Sequence, residues 1–313
     1  MPPFSVLEAT LDIFLKQLVN GLSLGSIYAL IALGYTMVYG IVKLINFAHG
    51  DVMMVGAYTG YFVLRAMGTT PLGLSCAFAA AMLVCALLSV LIERCAYRPL
   101  RNSPRLNSLI TAIAVELILQ NLMRVLPFVG PDPRPYPVMP SVNHTLVTAS
   151  YPGGLVSISD IQILVIIASV LLMLLLNLLI NYTRTGKAMR AVSYDMGAAS
   201  LMGISVNNTI TITFVIGSIL AGASGVLYAS AYPQIDPTMG YIPGLKAFVA
   251  AVLGGIGSVP GAMVGGVILG IAETMAKAYV SSQYADAISY CILIAILLVK
   301  PTGLLGKKQV VKV

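Results

Sequence analysis

Apolar runs of sixteen to twenty-four residues follow one another along almost the whole chain, at 18–41, 50–67, 72–94, 106–127, 159–181, 208–231, 243–258, 260–279 and 284–300. About twenty such residues, rising 1.5 Å each as a helix, cross the ~30 Å hydrocarbon core of a bilayer. Inside lipid every backbone amide must bond within the protein, so runs like these fold as helices. The expected fold is therefore all-α: a polytopic transmembrane helix bundle of eight or nine spans, forming one domain over residues 1–313. The runs 243–258 and 260–279 read either as two spans or as one re-entrant hairpin. Composition agrees, with 58% hydrophobic and 9% charged residues and a mean hydropathy of +0.92, where a soluble domain carries about 25% charged residues.

Charge orients the bundle. Arg94, Arg98, Arg101 and Arg105 fall in one connection, Arg184, Lys187 and Arg190 in another, and Lys300, Lys307, Lys308 and Lys312 in the tail. The positive-inside rule makes these three regions cytoplasmic. An odd number of spans then leaves the N-terminus outside and the C-terminus inside. The N-terminal stretch MPPFSVLEATLDIF has neither a basic region nor an A-x-A-like site, so no cleaved signal peptide is expected. The proline-dense 128–158 loop lies on the opposite, extracytoplasmic side and reads as an ordered, extended lid.

Several function classes are excluded at this level. The net charge of +7 belongs to cytoplasmic loops; with no basic stripe interleaved with aromatics, no nucleic acid partner is expected. The four cysteines form no CxxC pair and there are two histidines, so no metal site is expected and the candidate metal ligands are none. HExxH and GxxxxGK[ST] are absent, so no catalytic residues are assigned. GGIGSVPG at 254–261 has no preceding strand and reads as a hairpin between helices rather than a phosphate loop. Glycines four apart at 257, 261 and 265, and Gly217, Ala221 and Gly225, fit close helix packing in lipid.

Polar groups inside apolar runs mark candidate pathway or gating residues. INFAHGD at 45–51 brings Asn46, His49 and Asp51 together. It reads either as a proton relay or gating hairpin, or as a turn in which Gly50 permits the bend and Asp51 caps the helix from Val52. Glu116 lies near the centre of its run with Gln120 one turn on; a charge at that depth costs roughly 2.5–3.5 kcal/mol and must face a wet path or a structural partner such as Arg124. Glu273 and Lys277 are spaced to pair on one helix face, and Lys246 is expected to snorkel to the outer interface. INFAHGD and IGSVPGA (256–262) share an Ile and a Gly five apart, a faint internal echo of the paired interruptions found in transporters.

The stretch 184–206 is too polar to span and too long for a turn. Thr185 is a candidate cap for a first short helix carrying Lys187, Ala188, Arg190 and Ala191. Asp195 suits the N-cap of a second, and Gly203 its C′ position. The second helix is small and apolar, with Ala198 and Ala199 at its centre, and reads as a surface for a partner's groove, Arg190 and Asp195 setting register, or as a loop lying on lipid.

Taken together, NGLSLGSIYALIALGYTMVYGIVKLINFAHGD (20–51), ERCAYRPLR (93–101), GKAMRAVSYDMGAASLMGI (186–204), GGIGSVPGAMVGG (254–266) and LLVKPTGLLG (297–306) resemble the LivH-type permease of the high-affinity branched-chain amino acid ABC importers. The resemblance runs in order over nearly the whole chain. It implies a permease bundle of that type in the bacterial inner membrane, paired with a second, related permease. It also implies two cytoplasmic ATPases that use ATP and Mg, and a periplasmic binding protein delivering leucine, isoleucine or valine. This chain would bind no cofactor of its own. Its ATPase-coupling residues would be Gly186, Lys187, Ala188, Arg190, Ala191, Asp195, Ala198, Ala199 and Gly203. Import of urea or short amides by the same family, a proton-coupled secondary transporter using Glu116 and His49, and a passive channel are the rival readings.

Overall fold

A computed structural model describes residues 4–44, 46–101, 103–137, 145–151 and 154–306. Ile45, Asn102, residues 138–144 with His144, and the tail lysines Lys307, Lys308 and Lys312 lie outside the described residues. The helices are α1 (Phe4–Val42), α2 (His49–Met67), α3 (Pro71–Ile92), α4 (Arg105–Val125), α5 (Asp160–Tyr182), α6 (Arg184–Tyr194), α7 (Met196–Leu201), α8 (Val206–Ala231), α9 (Tyr241–Gly254), α10 (Val259–Tyr279) and α11 (Ala285–Val299). Among the described residues, 6 helices are long and apolar enough to cross a membrane, within α1, α3, α4, α5, α8 and α10. The expected connection after α3 is helical too: one π turn, Glu93–Tyr97, and one 3-10 turn, Arg98–Leu100, carry that helix on.

Short polar residues start these helices by bonding their orphan amides. Thr70 accepts from Gly73 N at 3.1 Å to open α3, and Ser258 accepts from Gly261 N at 3.2 Å to open α10. Ser159 and Gln162 form a capping box on α5. The two hydroxyl caps occupy matching places, each after a glycine with positive φ, Gly68 or Gly257. The internal echo thus belongs between 68–73 and 257–261, not at INFAHGD.

That correspondence is one part of an inverted repeat. Helix α1 runs toward the end of the bundle that holds Lys43, Arg98 and Arg101, and α8 begins there and runs away from it. Helix α10 lies antiparallel along α1, with Gly21 against Ile271 and Gly25 against Val267. Helix α3 lies antiparallel along α8, Ala81 against Gly222 and Tyr97 against Phe214. The units α1–α4 and α8–α11 therefore repeat one order in opposite directions, and α5, α6 and α7 link them.

Each unit contains one helix that begins inside the bundle. After α1 the chain folds back, and His49, at the start of α2, packs against Gly34, which also lies against the mid-length Gly217 of α8. After α8 it returns through 232–240, and Gly240, at the start of α9, meets Gly50. With 14 residues, α9 rises only about 21 Å. The runs 50–67 and 243–258 are thus crossings completed by a loop plus a helix. Counting them with α1, α3, α4, α5, α8, α10 and α11 keeps the odd number of crossings.

At the far end, β1 (Arg134–Pro135) pairs antiparallel with β4 (Gln234–Ile235), tying the long loop to the segment that re-enters the bundle. Tyr136 beside it is buried, and burial raises its phenol well above the ordinary value. β2 (Thr145–Tyr151) and β3 (Gly154–Ser159) form a hairpin.

Candidate functional site

The N-termini of α2 and α9 face each other across glycines. A Cβ added at Gly50 or Gly244 would lie 3.0 Å from the other residue's Cα, so only bare backbone allows the approach. Each helix start carries a partial positive charge of about half a unit. Asp51, in the first turn of α2, accepts from Gln120 Nε2 of α4 at 3.2 and 3.4 Å. The N-cap position of α2 is Ala48, without a side-chain bond. Asp51 is therefore not the cap expected from sequence; the helix starts three residues earlier than Val52, at His49, and the Asp51 carboxylate bonds Gln120 of α4.

A narrow crevice opens at this junction, lined by Tyr35, Phe47, Asp51, Glu116 and, from the re-entrant side, Gly240, Tyr241, Gly244 and Leu245. Glu116 is half-buried and forms no ion pair among the described residues, Arg124 included. No Lys, Arg or His lines the crevice. It offers carboxylate oxygens to a cation, helix starts to an anion, and aromatic and aliphatic walls to a hydrocarbon group. That set matches the groups of a zwitterion with an apolar side chain, in a void of about 10 Å³ that is closed to a molecule of that size in this structure.

The structure gathers the sequence candidates around this point but separates their roles. Asp51, Glu116 and Gln120 meet at the crevice. Asn46 is buried behind it, accepting from Tyr97 Oη at 2.7 Å; the π turn of α3 is what rotates Tyr97 inward. His49 packs edge-on against Tyr35, ring centroids 5.0 Å apart, and its buried Nε2 has no hydrogen-bond partner among the described residues. It touches no carboxylate that would form a relay with it. Sequence reasoning missed Tyr35, Gly240 and Gly244; the signal for the glycines was YPQIDPTMGY (232–241), a proline-broken segment between apolar runs.

A second buried cluster joins α1, α9, α10 and α11. Lys246 Nζ lies 2.7 Å from both Glu273 and Asp286, and Lys277 Nζ 2.6 Å from Glu273. Tyr28 Oη donates to Glu273 at 3.0 Å. Lys246 is 4% exposed, so it does not snorkel. Buried between two carboxylates, its ammonium is compensated in place.

At the basic end, α6 and α7 are the two short helices expected over 184–206. Thr183 rather than Thr185 caps α6, accepting from Gly186 N at 3.1 Å. Asp195 caps α7 through Ala198 N at 2.9 Å. Gly203, at φ +80°, closes α7 in a Schellman motif, with Ile204 N bonded to Ala199 O and Gly203 N to Ser200 O, both at 3.0 Å. Arg190 donates to the carbonyl oxygens of Ile180 and Asn181, capping the end of α5. Gly186 is packed against α5, where a side chain would strike the Ile180 carbonyl. Ala199 points inward at 4% exposure, while Tyr194, Leu201 and Met202 are 82%, 90% and 82% exposed. Lys187 and Ala198 are exposed, and Ala188 and Ala191 half-buried.

A bundle with an inverted repeat and two helix starts meeting at a polar crevice in its interior defines a multi-pass membrane permease. The chain belongs to the branched-chain amino acid transport permease family: the model described as branched-chain amino acid transport system / permease component matches residues 17–297. It is 45% identical to the high-affinity branched-chain amino acid transport system permease protein LivH of Salmonella typhimurium, over 96% of this chain and 98% of that one. It is 46% identical, with the same coverage, to the corresponding permease BraD of Pseudomonas aeruginosa. A probable LivH of Methanocaldococcus jannaschii is 29% identical over 94% of each chain. No solved structure matches the chain significantly.

Proposed function

We propose that this chain is the membrane subunit of an ATP-driven importer that carries leucine, isoleucine and valine, and that the crevice at the starts of α2 and α9 lies on the substrate's path. The observation that carries the reading is the composition of that crevice. Asp51 and Glu116 have no cation beside them, while apolar walls and helix starts complete the complement of an aliphatic amino acid. Membership of the permease family supports the same substrate class.

The importer requires partners this chain does not supply. A second, related permease would close the path on the α4 side, where that helix is largely exposed. Of two cytoplasmic ATPases using ATP and Mg, one would seat on α7, where the exposed Leu201 and the following Met202 offer it an apolar surface. A periplasmic binding protein would deliver substrate at the end of the far loop 128–158. The basic end is then cytoplasmic and the N-terminus lies outside. ATP-driven closure of the ATPases would move α6–α7, and through the Arg190 cap α5, while the inverted units exchange access to the crevice. The reading is tested by reconstituting the chain with its ATPases and second permease. ATP hydrolysis and uptake should rise on adding binding protein loaded with leucine, isoleucine or valine, and stay at the basal level with empty protein. Uptake by this chain alone, driven by a proton gradient, would replace the reading with a secondary transporter.

A further inference from the structure

At the basic end a cavity of about 560 Å³ opens between α1, the turns after α3, α4 and α8, with Met196 of α7 also on its wall. Three cations line it, Lys43, Arg98 and Arg101, and no acidic residue does. Arg101 is held from behind by the buried Glu93. Lys43 and Arg98 form no ion pair among the described residues. Ser103, Ser108 and Asn207 add hydroxyl and amide donors to the wall.

Lys43 carries the strongest local signal. It is the one non-glycine residue with positive φ among the described residues, at +58°, and it closes α1 by bonding Tyr39 O at 2.9 Å. Glycine or asparagine is the usual residue at such a helix end. Lysine holds that left-handed conformation here, its ammonium 6.0 Å from the centroid of the Tyr39 ring. Next to the cavity, the first turns of α4 present Leu106 and Ile110 outward at 62% and 58% exposure. A basic, hydroxyl-lined recess thus adjoins an apolar strip at the edge of the membrane-crossing helices.

We infer that this cavity binds a phosphate-bearing anion, the head group of an anionic phospholipid whose acyl chain lies along the start of α4. The chemistry is that of basic recesses between membrane helices on the leaflet that carries anionic lipid. The cavity is separate from the crevice at Asp51, so the inference stands whatever substrate the permease carries.

The test uses the full chain purified in detergent and stripped of lipid, titrated with phosphatidylglycerol, phosphatidylcholine or inorganic phosphate and followed by native mass spectrometry. Phosphatidylglycerol should bind in preference to phosphatidylcholine. Lys43→Gln with Arg98→Gln should weaken it roughly tenfold to thirtyfold. Arg94→Gln, which removes an exposed cation outside the cavity, should leave binding unchanged, and so should the charge-keeping pair Lys43→Arg and Arg98→Lys, which separates lost charge from lost folding. Displacement by millimolar inorganic phosphate would make free phosphate the occupant of the same anion site; no displacement identifies the lipid head group. Equal binding of the two lipids with no phosphate bound, or binding unmoved by the Gln pair, overturns the inference. So does binding that vanishes once ATPases are attached, since the recess would then be a seat for those proteins.

Discussion

Asp51 and Glu116 are the two carboxylates on which the proposed substrate path rests. Asp51 is buried against Gln120, beside the starts of two helices. Asp51→Asn keeps shape and the Gln120 contact but removes the charge offered to an ammonium group. Uptake should fall roughly tenfold, the effect of about 1.4 kcal/mol, with no loss of assembly by size-exclusion chromatography; wild-type uptake in that variant would take Asp51 off the path. The sequence pointed to Asp51, Glu116 and Gln120 because charges deep in apolar runs are costly wherever they sit. It could not point to Tyr35 or Gly244, whose roles arise only when two distant helix starts meet. Lys246 misled for the same reason: its partners Glu273 and Asp286 lie 27 and 40 positions away, on other helices.

At the scale of elements, two features control behaviour. The first is the α7 turn, whose caps Asp195 and Gly203 were legible because capping is local chemistry. Its outward face was not legible, since six nearly uniformly small residues have no periodicity to read. The structure turns Ala199 in and leaves Leu201 and Met202 out. Leu201→Glu should reduce ATPase co-purification and substrate-stimulated hydrolysis while leaving the melting temperature of the isolated chain unchanged; an unaltered complex would dissociate α7 from that contact. The second is the α1–α10 seam. Gly266 lies against the Cα of Ala29, where an added Cβ would come within 2.5 Å. Gly266→Val must separate the two helices and should cost about 1–3 kcal/mol, seen as a lowered melting temperature in detergent. An unshifted melt would show that the seam yields without cost.

Across the whole molecule, the inverted repeat gives two similar units opposite faces of the membrane. Hydropathy marked nine apolar runs, of which six are single helices long enough to cross among the described residues; it could not tell which runs were broken, because a loop-plus-helix run has the same apolar length as an intact one. The proposed orientation does not turn on that ambiguity, since it depends on parity and on where Lys and Arg gather. The broken crossings also bear on how the chain is made. A helix of 14 residues, α9, is too short to rest across lipid by itself, and its buried Lys246 is compensated only by residues of α10 and α11. During synthesis α9 must therefore wait, unplaced, until the residues through Asp286 have left the ribosome. A chain truncated after Ser258 should leave a cysteine introduced at Val249 open to water-soluble maleimide, while the full chain protects it. Biogenesis of this permease is thus decided late, by its last two helices, which makes C-terminal truncations far more damaging than their length suggests.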